Sequence, residues 1–349
     1  MSNNEKSVMK SVLIVGGYGF VGRNLTEQIL KELNTMVYIV DNFLSSDYHL
    51  MAPDERVIVI EGDAGDFTNL EKLPKSIDEI YILNCLHGNQ SSLYNPISDL
   101  RNTLAPVITT LEWVRKHDLS AKIVYAGAGC AVAEKTWDSA QAVVETDVVN
   151  LNHDSPYSIS KLAGEMHCIM YAKQFGLHVM RARFQNVYGP GEVLGAGKWR
   201  GTHATIWRNV TPTFIWKALH DEDLTVTGAN AARDFIYVKD LVHGLQAIMS
   251  GGVSGEAYNL ASGIEYSIVS WANSIVELSS SKSQVKVLEP RNWDNSGRRF
   301  GDPHKSETQL NFKAATQQDE GLTATIQWSI ENTNLIQGSI SRHRGVAGL

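Results

Sequence analysis

Apolar residues recur along the first half of the chain in short runs, each followed by small or polar residues. The five runs are 11–15, 36–40, 57–60, 80–83 and 122–125. Short runs with such boundaries are typical of buried strands. Helix-length segments such as 103–117 separate them. Strands that alternate with helices indicate a parallel sheet with helices on both faces, so we predict an α/β, doubly wound fold.

The pattern changes in the second half of the chain. A strand-like run at 179–184 leads into a long loop rich in glycine, tryptophan and threonine. Loops of that length inside a compact domain are usually functional. Beyond the loop, segments 212–220, 241–249 and 267–277 have helical patterns, and 233–238 has a strand pattern. The last segment, 336–349, is expected to form a surface tail.

Composition narrows the class of protein. The 349 residues are 43% hydrophobic and 20% charged, which is typical of a globular protein. The net charge of -7, without a run of basic residues, argues against nucleic acid as a partner. Three isolated cysteines predict neither a disulfide framework nor a metal site and favour a reducing compartment. The chain also lacks an apolar leader or a stretch long enough for a membrane, so a cytoplasmic location is expected.

A glycine-rich turn predicts a dinucleotide site. Gly16, Gly19 and Gly22 follow the first predicted strand and precede a helical pattern. Glycines at this spacing permit a tight turn and let a pyrophosphate approach the backbone. Asp41 lies nineteen residues after Gly22, at the end of the second strand, where a carboxylate binds ribose hydroxyls and repels a 2′-phosphate. We therefore predict NAD as the cofactor, with a glycine turn that binds no ligand as the alternative.

Other residues near the strand ends complete the predicted cofactor site. Asp63 follows the third strand, where its carboxylate either reaches the adenine amino group or serves as a turn residue. The remaining predicted cofactor contacts are Phe20, Val21, Asn42, Ala64, Asn102, Tyr157 and Lys161.

Tyr157 and Lys161 are the candidate catalytic pair. Their spacing of four residues places a phenol and an ammonium on one face of a helix. The ordinary pKa of a phenol is about 10, and both a neighbouring cation and an oxidised nicotinamide favour its phenolate. Such a pair can take a proton from a sugar hydroxyl. Taken alone, the same spacing also occurs in surface pairs.

A series of motifs in the same order resembles the extended short-chain dehydrogenase/reductase family, which contains nucleotide-sugar epimerases and dehydratases. Beside the glycine turn, the motifs are Asn95-Pro96 with Asn102, Ser155-Pro156-Tyr157 with Lys161, RFQNVYGP at 183–190, RDFIYVKD at 233–240 and RFGD at 299–302. The resemblance implies a Rossmann-type domain at 1–180, to which about 234–260 returns, and a smaller α/β nucleotide-sugar-binding domain at 181–335. It also implies a homodimer formed through paired helices.

The same resemblance implies which residues bind the nucleoside diphosphate sugar. Asn186 and Asn209 match asparagines that approach the sugar and diphosphate, and Arg233 and Arg299 match arginines that hold the diphosphate. A guanidinium suits that task because it binds phosphate through two donors, although a surface ion pair is the alternative for each arginine. The other two predicted substrate contacts are His87, equally interpretable as a loop histidine, and Asp302.

Two positions depart from the family pattern. Relatives carry serine or threonine at the end of the fifth strand, whereas this chain has Ala128. Cys130 occupies the position of the glutamate of UDP-glucuronate decarboxylases, and GDP-mannose 3,5-epimerase and GDP-fucose synthase place a cysteine base there. We therefore predict Cys130 as a third catalytic residue, with a small buried side chain as the alternative. The family's partner acid is not evident, and His203, Glu134 and Lys135 are possible replacements.

These features predict an NAD-dependent nucleotide-sugar epimerase that acts through a transient 4-keto sugar. The alternative enzymes are a 4,6-dehydratase and a UDP-hexuronate decarboxylase. The alternative from another class is a non-catalytic protein that binds NAD and a nucleotide sugar, which the loss of the hydroxyl at Ala128 suggests. Segment 192–209 is longer than is usual in the family, and we expect it to cover the sugar as a lid. A dimer contact or a surface excursion is the alternative for that segment.

Overall fold

The computed structural model describes residues 9–86, 88–131, 136–147, 149, 151–198, 201–291 and 297–347. The strands are β1 Lys10–Val15, β2 Thr35–Asp41, β3 Val57–Glu61, β4 Glu79–Ile82, β5 Lys122–Ala128, β6 Ala142–Val143, β7 His178–Phe184, β8 Asn186–Tyr188, β9 Leu224–Thr227, β10 Ala232–Arg233, β11 Phe235–Tyr237, β12 Ala257–Leu260, β13 Tyr266–Ser267, β14 Val285–Leu288 and β15 Arg298–Gly301. The helices are α1 Phe20–Ile29, α2 Phe67–Leu70, α3 Asn89–Tyr94, α4 Pro96–Asp99, α5 Ala105–Lys116, α6 Pro156–Phe175, α7 Val210–Leu219, α8 Val238–Gly251, α9 Ile268–Leu278, α10 His304–Leu310, α11 Gln318–Glu331, α12 Thr333–Ser341 and α13 Arg344–Ala347.

Seven parallel strands form the main sheet, in the order β12-β7-β5-β4-β1-β2-β3. The apolar runs of the first half supply its strands β1 to β5, so the predicted parallel sheet is confirmed. The strand order reverses direction between β1 and β4, and ligands of such sheets bind beyond the carboxyl ends of the strands at that point.

Two apolar layers cover the main sheet. One layer includes Leu25 of α1 and Leu245 of α8, and the other includes Leu111 of α5 and Cys168 of α6. A third apolar cluster builds the smaller unit around Trp271, whose ring stacks on Phe235 at 3.8 Å between centroids. In the part of the chain that is described, no helix has both the length and the apolar character needed to cross a bilayer.

The single strand predicted at 233–238 is wrong. The segment divides into β10 and β11, which belong to different sheets, and Val238 begins α8. Asp234 lies at the division, and its buried carboxylate accepts hydrogen bonds from Ser262 and from the backbone N–H groups of Gly263 and Gly301. These long-range partners hold the chain as it passes from one sheet to the other.

The surface tail predicted at 336–349 is also wrong for the part that the structure describes. That part includes most of α12 and all of α13. Ile336, Ile340 and Ala347 are buried against Leu194 and Ile206 of segment 192–209. Burial of these apolar side chains therefore stabilises the helical conformation of the C-terminal segment.

Candidate active site

A cavity of about 480 Å³ lies at the carboxyl ends of the main-sheet strands and extends to the smaller unit. It lies beyond β1 and β4, where the strand order reverses. Most of the predicted site residues line it, namely Gly16, Gly19, Phe20, Val21, Gly22, Asp41, Asn42, Asp63, Ala64, Asn102, Tyr157, Lys161, Asn186, Asn209, Arg233 and Arg299. Tertiary folding therefore brings the glycine turn, the tyrosine–lysine pair and two arginines into one space.

The glycine turn is built for close backbone approach. Gly16 has a φ of 82°, which favours glycine, and a Cβ on Gly22 would lie only 2.5 Å from the Gly16 carbonyl oxygen. In the described structure no side chain caps α1 at its N-cap residue, Gly19. The N–H groups of the first turn are therefore available to a phosphate, which the helix dipole also favours.

Asp41 and its neighbours form a polar surface beside this turn. The buried Asp41 carboxylate accepts hydrogen bonds from the N–H groups of Tyr18 and Phe43, both at 2.9 Å. Burial raises the pKa of this carboxyl above its usual value. Asn42 donates to Asn102 at 2.8 Å. A carboxylate fixed in this way retains lone pairs for ribose hydroxyls, so these residues fit the adenosine part of a dinucleotide.

Helix α6 carries the candidate catalytic pair, Tyr157 and Lys161, to the cavity. The helix begins at Pro156, and the Ser155 side chain accepts the Ser158 N–H as its cap. Lys161 is 3% exposed, and its ammonium donates to the carbonyl oxygens of Ala126 at 2.8 Å and Asn84 at 3.4 Å. The cation is thereby held at the carboxyl ends of β4 and β5. Tyr157 lies one turn earlier on the same helix and also lines the cavity.

A buried carboxylate fixes the neighbouring turns of α6. Asp99 accepts hydrogen bonds from Ser160 at 2.6 Å and from Thr103 at 3.0 Å. Burial raises the pKa of the Asp99 carboxyl. Because Ser160 precedes Lys161, this contact ties the segment with the candidate catalytic pair to the end of α4.

The predicted substrate residues that line the cavity come from elements outside the main sheet. The Arg233 guanidinium donates to the carbonyl oxygens of Ala232 and Gly297. Asn209 donates to the Glu192 carboxylate at 2.7 Å. Arg299 lies on β15 beside β10, which carries Arg233. Two cations that line the cavity from paired strands suit the diphosphate of a nucleotide.

For three predicted site residues the described structure gives no place in this cavity. Asp302 does not line this cavity, and its carboxylate accepts the His304 N–H at the start of α10, so its contact with the substrate stays a prediction. His87 and the side chain of Cys130 lie outside the described residues, as do Glu134 and Lys135, two of the possible replacement acids.

The cavity also contains residues that the sequence did not predict. Cys85 follows β4, and burial raises the pKa of its thiol. Gln185, Glu192, Arg208 and Arg291 also line the cavity. Gln185 stands inside the RFQNVYGP motif, which was a usable signal, whereas the other residues lie in loops whose paths the sequence does not reveal.

Segment 192–209 lies against the cofactor half of the cavity as well as the sugar half. The Lys198 N–H donates to Leu44 at 2.9 Å, and Arg208 donates to the Ser45 carbonyl at 2.7 Å. Leu44 and Ser45 follow Asp41 and line the cavity. The segment therefore connects the ribose side of the cofactor site to the C-terminal helices, so a lid over the sugar alone does not describe it.

Among the described residues, no group of three or more His, Cys, Asp or Glu side chains is arranged to hold a metal ion.

Comparison with known proteins places this site in a family. The model of the NAD dependent epimerase/dehydratase family matches residues 12–261, and the chain belongs to that family. Membership confirms the predicted relationship to the nucleotide-sugar epimerases and dehydratases and the predicted cofactor, NAD.

Individual relatives cover nearly the whole chain. UDP-glucuronic acid decarboxylase 1 of Xenopus tropicalis is 29% identical over 91% of this chain and 72% of its own length. UDP-N-acetyl-alpha-D-glucosaminuronate decarboxylase of Bacillus cytotoxicus is 28% identical over 93% of this chain and 99% of its own length. The enzyme WbmF of Bordetella bronchiseptica was solved in complex with NAD+ and UDP. It is 41% identical over 97% of this chain and 98% of its own chain, and the two structures superpose with a TM-score of 0.86. This likeness confirms the predicted Rossmann-type fold.

Proposed function

We propose that this protein is an NAD-dependent nucleotide-sugar epimerase that acts through a transient 4-keto sugar. The observation that carries the proposal is the shared cavity. Tyr157 and Lys161 line the same space as the glycine turn and the two arginines of the substrate end. A protein that only binds its ligands has little need for a phenol and a buried ammonium on one helix face.

The two halves of the cavity fit two ligands. The turn from Gly16 to Gly22 and the Asp41 carboxylate would hold NAD, whereas Asn186, Asn209, Arg233 and Arg299 would hold the diphosphate and sugar. WbmF was solved with NAD+ and UDP together, which supports a uridine nucleotide as the carrier of the sugar.

Each catalytic residue has a defined task in this proposal. Tyr157, as the phenolate, accepts the proton of the sugar 4-hydroxyl, and the Lys161 ammonium stabilises that phenolate. When bound, NAD supplies the hydride acceptor and later the hydride donor. The ketone acidifies the neighbouring C–H bonds, so proton exchange assisted by Cys130 would invert C3 or C5, whereas rotation of the sugar would invert C4.

Decarboxylation of a UDP-hexuronate is the second candidate. Two relatives described above are named as decarboxylases of uronic acid nucleotides. The replacement of the decarboxylase glutamate by Cys130 is the observation that places epimerisation first.

The experiment offers the purified protein UDP-glucose, UDP-glucuronic acid and UDP-N-acetylglucosaminuronic acid, with GDP-, CDP- and dTDP-sugars as further arms. Proton NMR detects an inverted sugar, and released carbon dioxide detects decarboxylation. We expect an epimer without carbon dioxide. Release of carbon dioxide would favour the second candidate, whereas the absence of any changed sugar and of transient NADH absorbance would indicate a binding protein.

Replacement of the proposed base provides the control. Tyr157→Phe should abolish turnover and leave NAD bound, because only the hydroxyl is removed. Unchanged turnover would refute the role of Tyr157. Cys130→Ala separates the two branches, since full activity would exclude proton exchange by the thiol.

We also propose that two copies of the chain pair through α6 and its neighbours. Ile159, Met166 and Met170 are exposed at helical spacing on α6, and Leu93 and Ile97 are exposed on α3 and α4, which pack against it. Exposed apolar groups in such proximity suit a protein interface. Light scattering should show a dimer for the wild type and a monomer for Met166→Glu, whereas a dimeric variant would contradict this interface.

A further inference from the structure

We propose that the side-chain amide of Gln185 donates the hydrogen bond to the reacting sugar oxygen that a serine or threonine at position 128 would otherwise donate. The inference rests on the proposed function, because it concerns the same oxygen that Tyr157 deprotonates. It assigns a substrate contact to a residue between the end of β7 at Phe184 and the start of β8 at Asn186.

Two glycines leave the space in which the amide lies. A Cβ built on Gly129 would be 2.3 Å from Gln185 Nε2, and one built on Gly301 would be 2.7 Å from the same atom. Real Cβ atoms essentially never approach so closely, so an alanine at either position would have to move the amide. Gly129 directly follows Ala128, so the Gln185 amide lies against the residue next in sequence to the position that lacks its hydroxyl.

The amide also has unused hydrogen-bonding capacity. The Gln185 backbone N–H donates to Leu260 at 3.3 Å, but among the described residues the side chain has no hydrogen-bond partner. The residue lines the cavity together with Ala128, Tyr157 and Lys161. A primary amide carries two N–H donors and one carbonyl acceptor, and they gain most from a polar ligand that excludes water.

An amide cannot take the place of the hydroxyl in every respect. It donates a hydrogen bond to the oxygen but does not pass on a proton. In this arrangement the hydroxyl proton moves to Tyr157, and Gln185 holds the oxygen as its negative charge develops and as it becomes a carbonyl. Fixed donors directed at developing charge contribute about 10²–10³-fold to turnover in other enzymes.

Ala128 supplies no hydroxyl of its own. It lines the cavity together with Gln185, whose amide lies against Gly129, the residue that follows Ala128. A serine at position 128 would place a hydroxyl beside the reacting oxygen, so it is expected to compensate for a missing amide.

The test compares Gln185→Ala with the double variant that also carries Ala128→Ser. With the UDP-sugar that the wild type converts, Gln185→Ala is expected to lower kcat by about 10²-fold, while UDP affinity and NAD content stay within about twofold. Addition of Ala128→Ser should recover at least about tenfold of that loss. Gln327→Ala, an exposed glutamine on α11, is the matched control and should not change kcat.

Two kinetic results would overturn the proposal. The first is a Gln185→Ala enzyme with a kcat within about threefold of the wild type. The second is a double variant that is no faster than Gln185→Ala, because a structural defect at Gln185 would not be repaired by a serine at position 128. Failure of the wild type on every sugar nucleotide would instead count against the proposed function.

A binding measurement tests the inference without turnover. Calorimetry with UDP-glucose and with UDP gives the contribution of the sugar to affinity. We expect Gln185→Ala to weaken UDP-glucose binding by about 3–10-fold and to leave UDP binding unchanged. Equal losses for the two ligands, or no loss for UDP-glucose, would contradict a contact between the amide and the sugar.

Discussion

Glu165 of α6 forms a buried ion pair with Arg183 of β7, whose Nη2 lies 2.9 Å from Glu165 Oε2. Arg183 Nε also donates to the same carboxylate at 3.1 Å, and both residues are buried. Lys161 lies one turn before Glu165 on the same helix. The ion pair therefore anchors α6, which carries the proposed catalytic residues, to β7 of the main sheet and to the segment that leads to Gln185.

Removal of one member of this pair should destabilise the protein. Arg183→Met leaves the buried Glu165 charge with fewer partners, and we expect the free energy of unfolding to fall by about 3 kcal/mol. Lys286→Met, which breaks the exposed pair with Asp223, should cost less than about 1 kcal/mol. Unfolding in urea measures both, and equal losses would contradict the role assigned to the buried pair.

The close approach at Gly22 should control loading with NAD. In Gly22→Ala the new methyl group would meet the Gly16 carbonyl oxygen at 2.5 Å and Gly17 Cα at 2.7 Å, which displaces the turn. We expect purified Gly22→Ala to lose most of its NAD, as measured by absorbance after acid release. Gly338→Ala has open space around its new methyl group and should stay loaded. A fully loaded Gly22→Ala enzyme would contradict this account.

Local patterns account for the parts of the fold that could be predicted. The apolar runs and the glycine turn are patterns confined to a few consecutive residues, so the sequence alone predicts the strands of the main sheet and the start of α1. Tyr157 and Lys161 share one helix, and their spacing reveals their common face. The ion pair of Glu165 and Arg183 has no such local signal, because it depends on how α6 packs against β7.

Long-range contacts explain the errors. Asp234 ends one short strand because its partners lie at Ser262, Gly263 and Gly301, far along the chain. In the sequence, Ile336 and Ile340 are isolated apolar residues. In the structure, residues of segment 192–209 pack against them, and no local pattern reveals this contact. The position of Arg208 was not predicted either, because it depends on the long-range hydrogen bond to the Ser45 carbonyl in the loop after β2.

The buried Glu192 carboxyl should make stability depend on pH. Burial raises its pKa from 4.5 to about 7, so between these values the folded protein holds a proton that the unfolded chain has released. The stabilising contribution is complete below pH 4.5 and is lost as the pH rises through 7. Relative to Glu192→Gln, the wild type should therefore lose about 3 kcal/mol of unfolding free energy between pH 4.5 and 8.

Denaturant unfolding at several pH values checks this expectation. Glu277→Gln, which alters an exposed carboxylate on α9, is the matched control and should follow the wild type at every pH. Parallel curves for wild type and Glu192→Gln would show that Glu192 does not bind the additional proton.

Arg208 should retain the cofactor. Its guanidinium lines the cavity and donates from Nη2 to the Ser45 carbonyl at 2.7 Å and the Ala196 carbonyl at 2.6 Å. Among the described residues it makes no other hydrogen bond, so Nε and Nη1 keep three N–H donors for an anionic or hydroxyl oxygen of the dinucleotide. Ser45 follows Asp41 at the ribose side, which places the cation at the cofactor half of the cavity.

Loss of this cation should weaken NAD binding selectively. A hydrogen bond to a charged group contributes about 1.5–3 kcal/mol, so Arg208→Ala is expected to raise the Kd for NAD by about 10–100-fold. Fluorescence titration of protein freed of NAD measures this Kd, and Arg344→Ala, an exposed arginine on α13, is the matched control. UDP affinity should change little, because in the proposed function Arg233 and Arg299 hold the diphosphate of the sugar nucleotide. A loss of UDP affinity with unchanged NAD affinity would assign Arg208 to the sugar nucleotide instead.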